Sequence, residues 1–276
     1  MLKQFEGKVL ILRYPSDGSL QQYDADGKVQ AHGNECPWTA CSGILIDNIA
    51  LAPESLMIKG QRMFFGFQDG RLTVVKYTKI KNNRMPPPFQ PAVDIEMKLS
   101  HPIQAEDEAR LVLGKIFVLS NAELVESVSV FWRDCLARHL KYDPSQPVDR
   151  EFYWQNLTDE ESKNDAPNAV GDSSKMDTGE PVFHLGGDVK PPKSIHTPEP
   201  DYSEIARYES LQGNATIKVM IDKEGKVINT RVVKPLGLGL DEKSQATIMG
   251  WTFHPATRNG EPVTIELNVE VAFRVY

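Results

Sequence analysis

Val263-Thr264-Ile265-Glu266-Leu267-Asn268-Val269-Glu270-Val271-Ala272-Phe273-Arg274-Val275-Tyr276 is the stretch whose reading decides the fold. Val263, Ile265, Leu267, Val269, Val271, Phe273 and Val275 fall on one face. Thr264, Glu266, Asn268, Glu270, Ala272, Arg274 and Tyr276 fall on the other. Strict alternation over this length predicts a single strand, running on from Pro262, with one buried and one wetter face. Asn259-Gly260 just upstream is the strongest short turn signal. A strand so placed either lies inside a sheet or offers an edge to a partner.

Working upstream, residues 196–276 read as one compact unit. Asp201-Tyr202-Ser203-Glu204 opens a short helix through Tyr208. Ala215, Ile217, Val219 and Ile221 alternate along a strand, and Lys223-Glu224-Gly225-Lys226 turns it back into a second one at 227–234. Leu236-Gly237-Leu238-Gly239 is a loop, and Asp241 starts a helix that ends near Gly250. Trp251 and Phe253, two apart after that helix, are expected where helix meets sheet. The unit is then a helix, a hairpin, a helix and a closing strand.

Ahead of it, residues 156–195 read as a linker. Asp159, Glu160, Glu161, Asp165, Asp172, Asp177 and Glu180 outnumber Lys163 and Lys175 up to residue 181, and aromatics are absent there. Such a segment buries too little apolar surface to offset its ordering entropy. The Pro-containing stretch 189–200 is expected to be extended.

Residues 1–155 read as an antiparallel β-rich module closed by a helical pair. Val9-Leu10-Ile11-Leu12 is a compact apolar run, and Asp24-Ala25-Asp26-Gly27 a hairpin turn. Further strands fit 43–49, 56–59, 63–67, 72–79 and 93–99, with a loop at Met85-Pro86-Pro87-Pro88. Glu106, Asp107 and Glu108 load the first turn of a helix with acid, which suits its dipole. Ser120-Asn121-Ala122-Glu123 fits a capping box for a second helix with a stripe at Leu124, Val128, Phe131, Cys135 and Leu136. The fold class is therefore α+β.

Composition narrows the function. Net charge is −7, which leaves no basic footprint for nucleic acid. No apolar run approaches the roughly 18 residues of a membrane span, and Val9 to Leu12 is far too short for the apolar region of an export signal. Cys36 and Cys41 flank Pro37-Trp38 and read either as a disulfide in an oxidising compartment or as two separate thiols. His32, His101, His139, His184, His196 and His254 show no paired ligand spacing, so no metal site is expected. Asp24 to Gly27 lacks the later ligands of a calcium loop. Nucleophile-elbow, phosphate-loop and dinucleotide motifs are missing, so neither catalytic residues nor a cofactor are expected.

The ordered set Tyr202, Ala206, Gly213, Asp222 to Gly225, Gly237-Leu238-Gly239-Leu240-Asp241, Trp251, Phe253, Pro255-Ala256, Asn259-Gly260 and Pro262-Val263 resembles the TonB C-terminal domain family. The stretch from Val189 to Pro200 and the β-rich region before it resemble TonB-domain proteins of acidobacteria, of the energy-transducer type. One departure is Tyr202-Ser203, where the family often has Tyr-Pro. The resemblance implies a non-enzymatic domain of two helices and three antiparallel strands on the periplasmic side of a bacterial envelope, provided an export signal precedes this chain. It implies that a short box peptide of an outer-membrane transporter, or another envelope protein, adds as a strand beside the last strand. Glu266, Asn268, Glu270 and Arg274 are the side chains expected along that edge. With neither an anchor nor a long Pro-rich spacer in this sequence, a soluble adaptor or a piece of an exported protein is expected. Two rivals stand beside this reading. In one, residues 1–155 form a ligand-binding or hydrolytic module and the C-terminal domain docks it. In the other, the free edge pairs with a second copy.

Overall fold

Val9–Leu12 (β1) is buried at all four positions, on both of its faces. Val9 and Ile11 enter one core, Leu10 and Leu12 a second. That explains an unbroken apolar run where a half-buried strand would alternate. The computed structural model describes residues 2–68, 71–76, 91–146, 152–154 and 181–275. The acidic stretch 156–180, the loop at Met85 to Pro88 and the end of the strand at 72–79 lie outside the described residues.

β1 belongs to an eight-stranded sheet with Leu20–Tyr23 (β2), Val29–Ala31 (β3), Gly43–Leu51 (β4), Ser55–Gln68 (β5), Arg71–Lys76 (β6), Ala92–Lys98 (β7) and Phe117–Val118 (β8). Its order is β3-β2-β7-β5-β4-β1-β8, with β6 on β5. The sheet is mixed rather than antiparallel: β2 runs parallel to β7, Leu20 to Tyr23 beside Asp94 to Met97. The long chain between these two strands lets β2 take the remaining edge of β7 in either sense. The β2–β3 turn forms as the sequence implies. Asp24 Oδ1 accepts from the backbone of Asp26 and Lys28, and Gly27 takes φ +81°.

The expected helical pair is three helices after a short one at Trp38–Cys41 (α1): Glu106–Ile116 (α2), Asn121–Ser127 (α3) and Val130–His139 (α4). Val128 and Ser129 are extended and split the last two. Serine and β-branched residues give up little by leaving a helix there. Half of the capping box forms, with Ser120 accepting from the Glu123 amide at 3.3 Å, while Glu123 reaches one residue further back, to the Leu119 amide at 3.2 Å. Leu140–Tyr142 (β9) pairs with Phe152–Trp154 (β10).

The C-terminal part begins with Phe183–His184 (β11), Val189–Lys190 (β12) and Lys193–His196 (β13). It continues through Glu204–Glu209 (α5), Gly213–Ile221 (β14), Val227–Lys234 (β15) and Leu240–Ile248 (α6). Thr252–His254 (β16), Ala256–Arg258 (β17), Glu261–Val263 (β18) and Ile265–Phe273 (β19) finish it. Its main sheet has four strands, β11-β19-β14-β15, one more than the sequence implied, because β11 joins parallel to β19. The final alternating run is also two strands. β18 forms a hairpin with β17 across Asn259-Gly260, and the chain changes sheet at Thr264 before β19. Both turn residues have positive φ, 54° and 92°, as a two-residue hairpin turn requires.

One core runs through both parts. Phe65, Phe67, Trp132 and Leu136 share it with Ile205, Ile217, Val232, Leu238 and Phe273. A second core lies on the other face of the eight-stranded sheet, under α2.

Candidate partner-binding edge

β14 holds β19 along nine register pairs, from Gly213 beside Phe273 to Ile221 beside Ile265. On its other side β14 pairs with β15, whose flank is covered by α4. Arg231 on β15 bonds Asp134 at 2.7 Å, and Cys135 lies 3.8 Å from the Val233 carbonyl. Among the described residues the opposite flank of β19 is paired only at Ile265 and Glu266, by Phe183 and His184. Residues 267–273 therefore present a sheet edge that pairs with no strand among the described residues.

The side chains along this edge divide by face. Ile265, Val271 and Phe273 are buried, whereas Leu267 and Val269 on the same face are only half-buried. Asn268 and Glu270 are exposed. Glu266 is half-buried, 3.6 Å from Lys218, and sits beside His184. Glu270 accepts from Asn214 of the neighbouring strand. Arg274, past the strand's end, donates to the Gly213 carbonyl at 3.1 Å and the Asn214 amide oxygen at 2.9 Å. Three of the four expected edge residues, Glu266, Glu270 and Arg274, are thus engaged with β14, and what the edge offers outward is backbone, Asn268 and the flanks of Leu267 and Val269.

The motif residues build the scaffold behind the edge. Tyr202 stands edge-on to Phe273 at 5.3 Å and donates its hydroxyl to the Leu211 carbonyl at 2.6 Å. Ser203, in place of the family's Pro, caps α5 by accepting from the Ala206 amide at 3.0 Å and also donates to the Leu238 carbonyl. Trp251 donates to the Pro198 carbonyl at 2.9 Å and packs edge-on to Phe253. Phe253 in turn donates its amide to Gly225 at 2.8 Å. Pro255 is half-buried beside them, while Asn259 and Gly260 form the exposed turn. The residues that sequence reasoning missed are Phe183 and His184; Val182-Phe183 is too short an apolar signal to reveal a strand.

The junction between the two parts rests on the loop at 236–239. Phe67 donates its amide to Leu236 at 2.8 Å, and Leu238 donates to Phe65 at 2.9 Å, so the loop pairs with β5. Gly239 donates to the Thr39 hydroxyl at 3.0 Å. Thr39 lies in α1, bracketed by the disulfide that joins Cys36 and Cys41, whose Cα atoms are 5.9 Å apart. A cleft of about 320 Å³ opens here, lined by Trp38, Trp132 and Glu242 among others. Among the described residues, no group of three or more His, Cys, Asp or Glu could hold a metal ion.

Asp241 and Glu242 are the charged groups of this junction. Asp241 is buried and accepts from the Leu236 and Gly237 amides, Gly237 at 2.6 Å. Burial outweighs these bonds and pushes its carboxyl up to about 7. Glu242 accepts from the Trp132 indole at 3.0 Å and also interacts with the Thr39 hydroxyl. Burial, then the neighbouring Asp241, pushes Glu242 up to about 8. Both groups hold their protons more tightly in the folded chain than unfolded. Stability is therefore full below the ordinary carboxylate range of about 4, falls as pH rises through 7 and 8, and levels off above. Glu242→Gln is expected to remove part of that fall, gaining on the order of a few kcal/mol over the unaltered chain at pH 9. Urea unfolding of both chains at pH 5 and pH 9 checks it; an equal loss in both would refute the assignment.

Residues 198–275 match the family model described as Gram-negative bacterial TonB protein C-terminal. The chain is 26% identical over 78 residues to Protein TonB of Vibrio cholerae serotype O1. That similarity covers 28% of this chain and 32% of the relative, so the chain spans about a third of the curated protein it matches. It is also similar to the solution NMR structure of the Pseudomonas aeruginosa TonB C-terminal domain, at 18% identity and a TM-score of 0.28, over 34% of this chain and 94% of that one. Over residues 198–275 the chain is thus similar to the TonB C-terminal domain family.

Proposed function

We propose that the C-terminal domain binds a partner protein by accepting an extended segment as an added strand along residues 267–273. The role is that of a TonB-like, non-enzymatic energy-transduction component on the periplasmic side of the envelope. The partner is an outer-membrane transporter box peptide or another envelope protein. The observation that carries this reading is the asymmetry of the sheet. The β15 flank is covered by α4, whereas beyond Glu266 the β19 flank meets no strand among the described residues, with Leu267 and Val269 half-exposed. An added strand gains main-chain hydrogen bonds there, and apolar residues at alternate positions cover those two side chains. Among the described residues no helix is long and apolar enough to cross a membrane.

Leu267→Lys with Val269→Lys tests the edge. Two cations at these half-buried positions disfavour an incoming strand, and circular dichroism checks that the β14 pairing holds. The double variant is expected to lose at least tenfold in affinity for a labelled transporter box peptide, with unchanged circular dichroism. Undiminished binding would place the site elsewhere. Sedimentation of the unaltered chain separates partner binding from pairing of two copies, since a dimer that dissociates in the double variant would favour the second copy.

A further inference from the structure

The edge of β19 already holds a strand from its own chain. Phe183 donates its amide to the Thr264 carbonyl at 2.9 Å, and Phe183 and His184 run parallel to Ile265 and Glu266. The Arg258 guanidinium lies over the Phe183 ring, 5.0 Å from its centroid, and bonds Asp188 at 2.7 Å. Gly186 and Gly187, both at positive φ, reverse the chain between those contacts. Val189 and Lys190 then pair with Arg258 and Thr257 of β17. Residues 183–190 thus form a strap fastened at both ends, with Arg258 gripping it at two points.

We infer that this strap is an internal copy of the partner strand, and that a partner binds by displacing it. The inference rests on the strand-addition reading above. The strap fixes what the site accepts: a segment running parallel to β19, with an aromatic residue opposite Ile265 and beneath Arg258. Arg258 is about half exposed and its cation over the ring contributes modestly. Two ladder positions and one stacked ring make a strap that holds while the edge is empty and yields to a strand pairing along all of 265–273. The position of Phe183 also says why the edge is open only beyond Glu266.

The test uses the full chain and a synthetic octapeptide of strap sequence, Pro-Val-Phe-His-Leu-Gly-Gly-Asp, with a second version carrying alanine for its phenylalanine. Binding is read from amide shifts of residues 265–273. Phe183→Ala empties the place under Arg258 without touching β19, and the octapeptide is expected to bind this variant about tenfold more tightly than the unaltered chain. The alanine peptide is expected to lose that gain, and Arg258→Ala added to Phe183→Ala to erase the difference between the peptides. Equal binding of both peptides to all chains, at residues 267–273, would overturn the strap while leaving strand addition intact. Shifts elsewhere, or none with either peptide or a transporter box peptide, would overturn both.

Discussion

Gly225→Ala is expected to destabilise the chain by about 4 kcal/mol, among the largest single-residue effects available here. Gly225 turns β14 into β15 at φ +81°, after Asp222 has captured the amides of Glu224 and Lys226 on one carboxylate oxygen. An added Cβ would meet the Phe253 carbonyl oxygen at 1.8 Å. That neighbour is backbone, and the same glycine accepts the Phe253 amide at 2.8 Å, so β16 must move and a hydrogen bond is lost. The left-handed conformation adds about 1–2 kcal/mol for any side chain. Gly260→Ala provides the comparison. It sits at φ +92° with nothing within 4 Å of an added Cβ, so it carries the conformational cost alone. Urea unfolding of the two variants should differ by about 2 kcal/mol or more. Equal losses would mean that the Phe253 carbonyl is not where the structure puts it.

The second large effect is at Arg62. It lies fully buried on β5 and donates to the Ser16, Cys41 and Gly18 carbonyls at 2.6, 3.0 and 2.9 Å. Burial lowers its guanidinium only to about 10, so it stays charged at neutral pH. One cation therefore ties the loop before β2 to the disulfide-bracketed α1. Around it the Gln21 amide donates to Ser16 Oγ at 3.0 Å, and the Tyr23 hydroxyl donates to Gln21 at 2.9 Å. Arg62→Ala removes the donor from three carbonyls and opens a cavity, at an expected cost of about 3–5 kcal/mol. Proteolysis at Arg13 should accelerate with it, because the same loop loses its anchor. Arg62→Lys should recover little, since one ammonium lacks the fork that reaches three acceptors. Unfolding midpoints within experimental error of the unaltered chain would contradict this assignment.

What was legible in the sequence was what local chemistry determines. Both Asp-x-x-Gly turns, at Asp24 and Asp222, close through the same carboxylate-to-amide bonds, and Asn259-Gly260 supplies the two positive φ values of its hairpin. The alternation from Val263 to Phe273 marked extended chain, but period two says nothing about which sheet a residue joins. The switch at Thr264 was invisible for that reason. Val9 to Leu12 reads as a compact apolar run, and its burial on both faces follows only from the two cores that assemble around it. Arg62 falls between the strands expected at 56–59 and 63–67, and only the arrival of the Ser16 loop makes it a hub. At the candidate site the antiparallel pairing of β19 with β14 is what the resemblance implied. Phe183 and His184 did not, because a two-residue strand is defined by the edge it meets rather than by its own pattern.

The central claim is that the open flank of β19 receives a partner strand. The most direct measurement is amide chemical-shift mapping of the full chain titrated with a transporter box peptide. The expected result is a contiguous set of shifted and newly exchange-protected amides along 265–273, with β15 unchanged at 227–234. Shifts confined to β15, to the junction around Trp38 and Glu242, or absent from 265–273 altogether would contradict it.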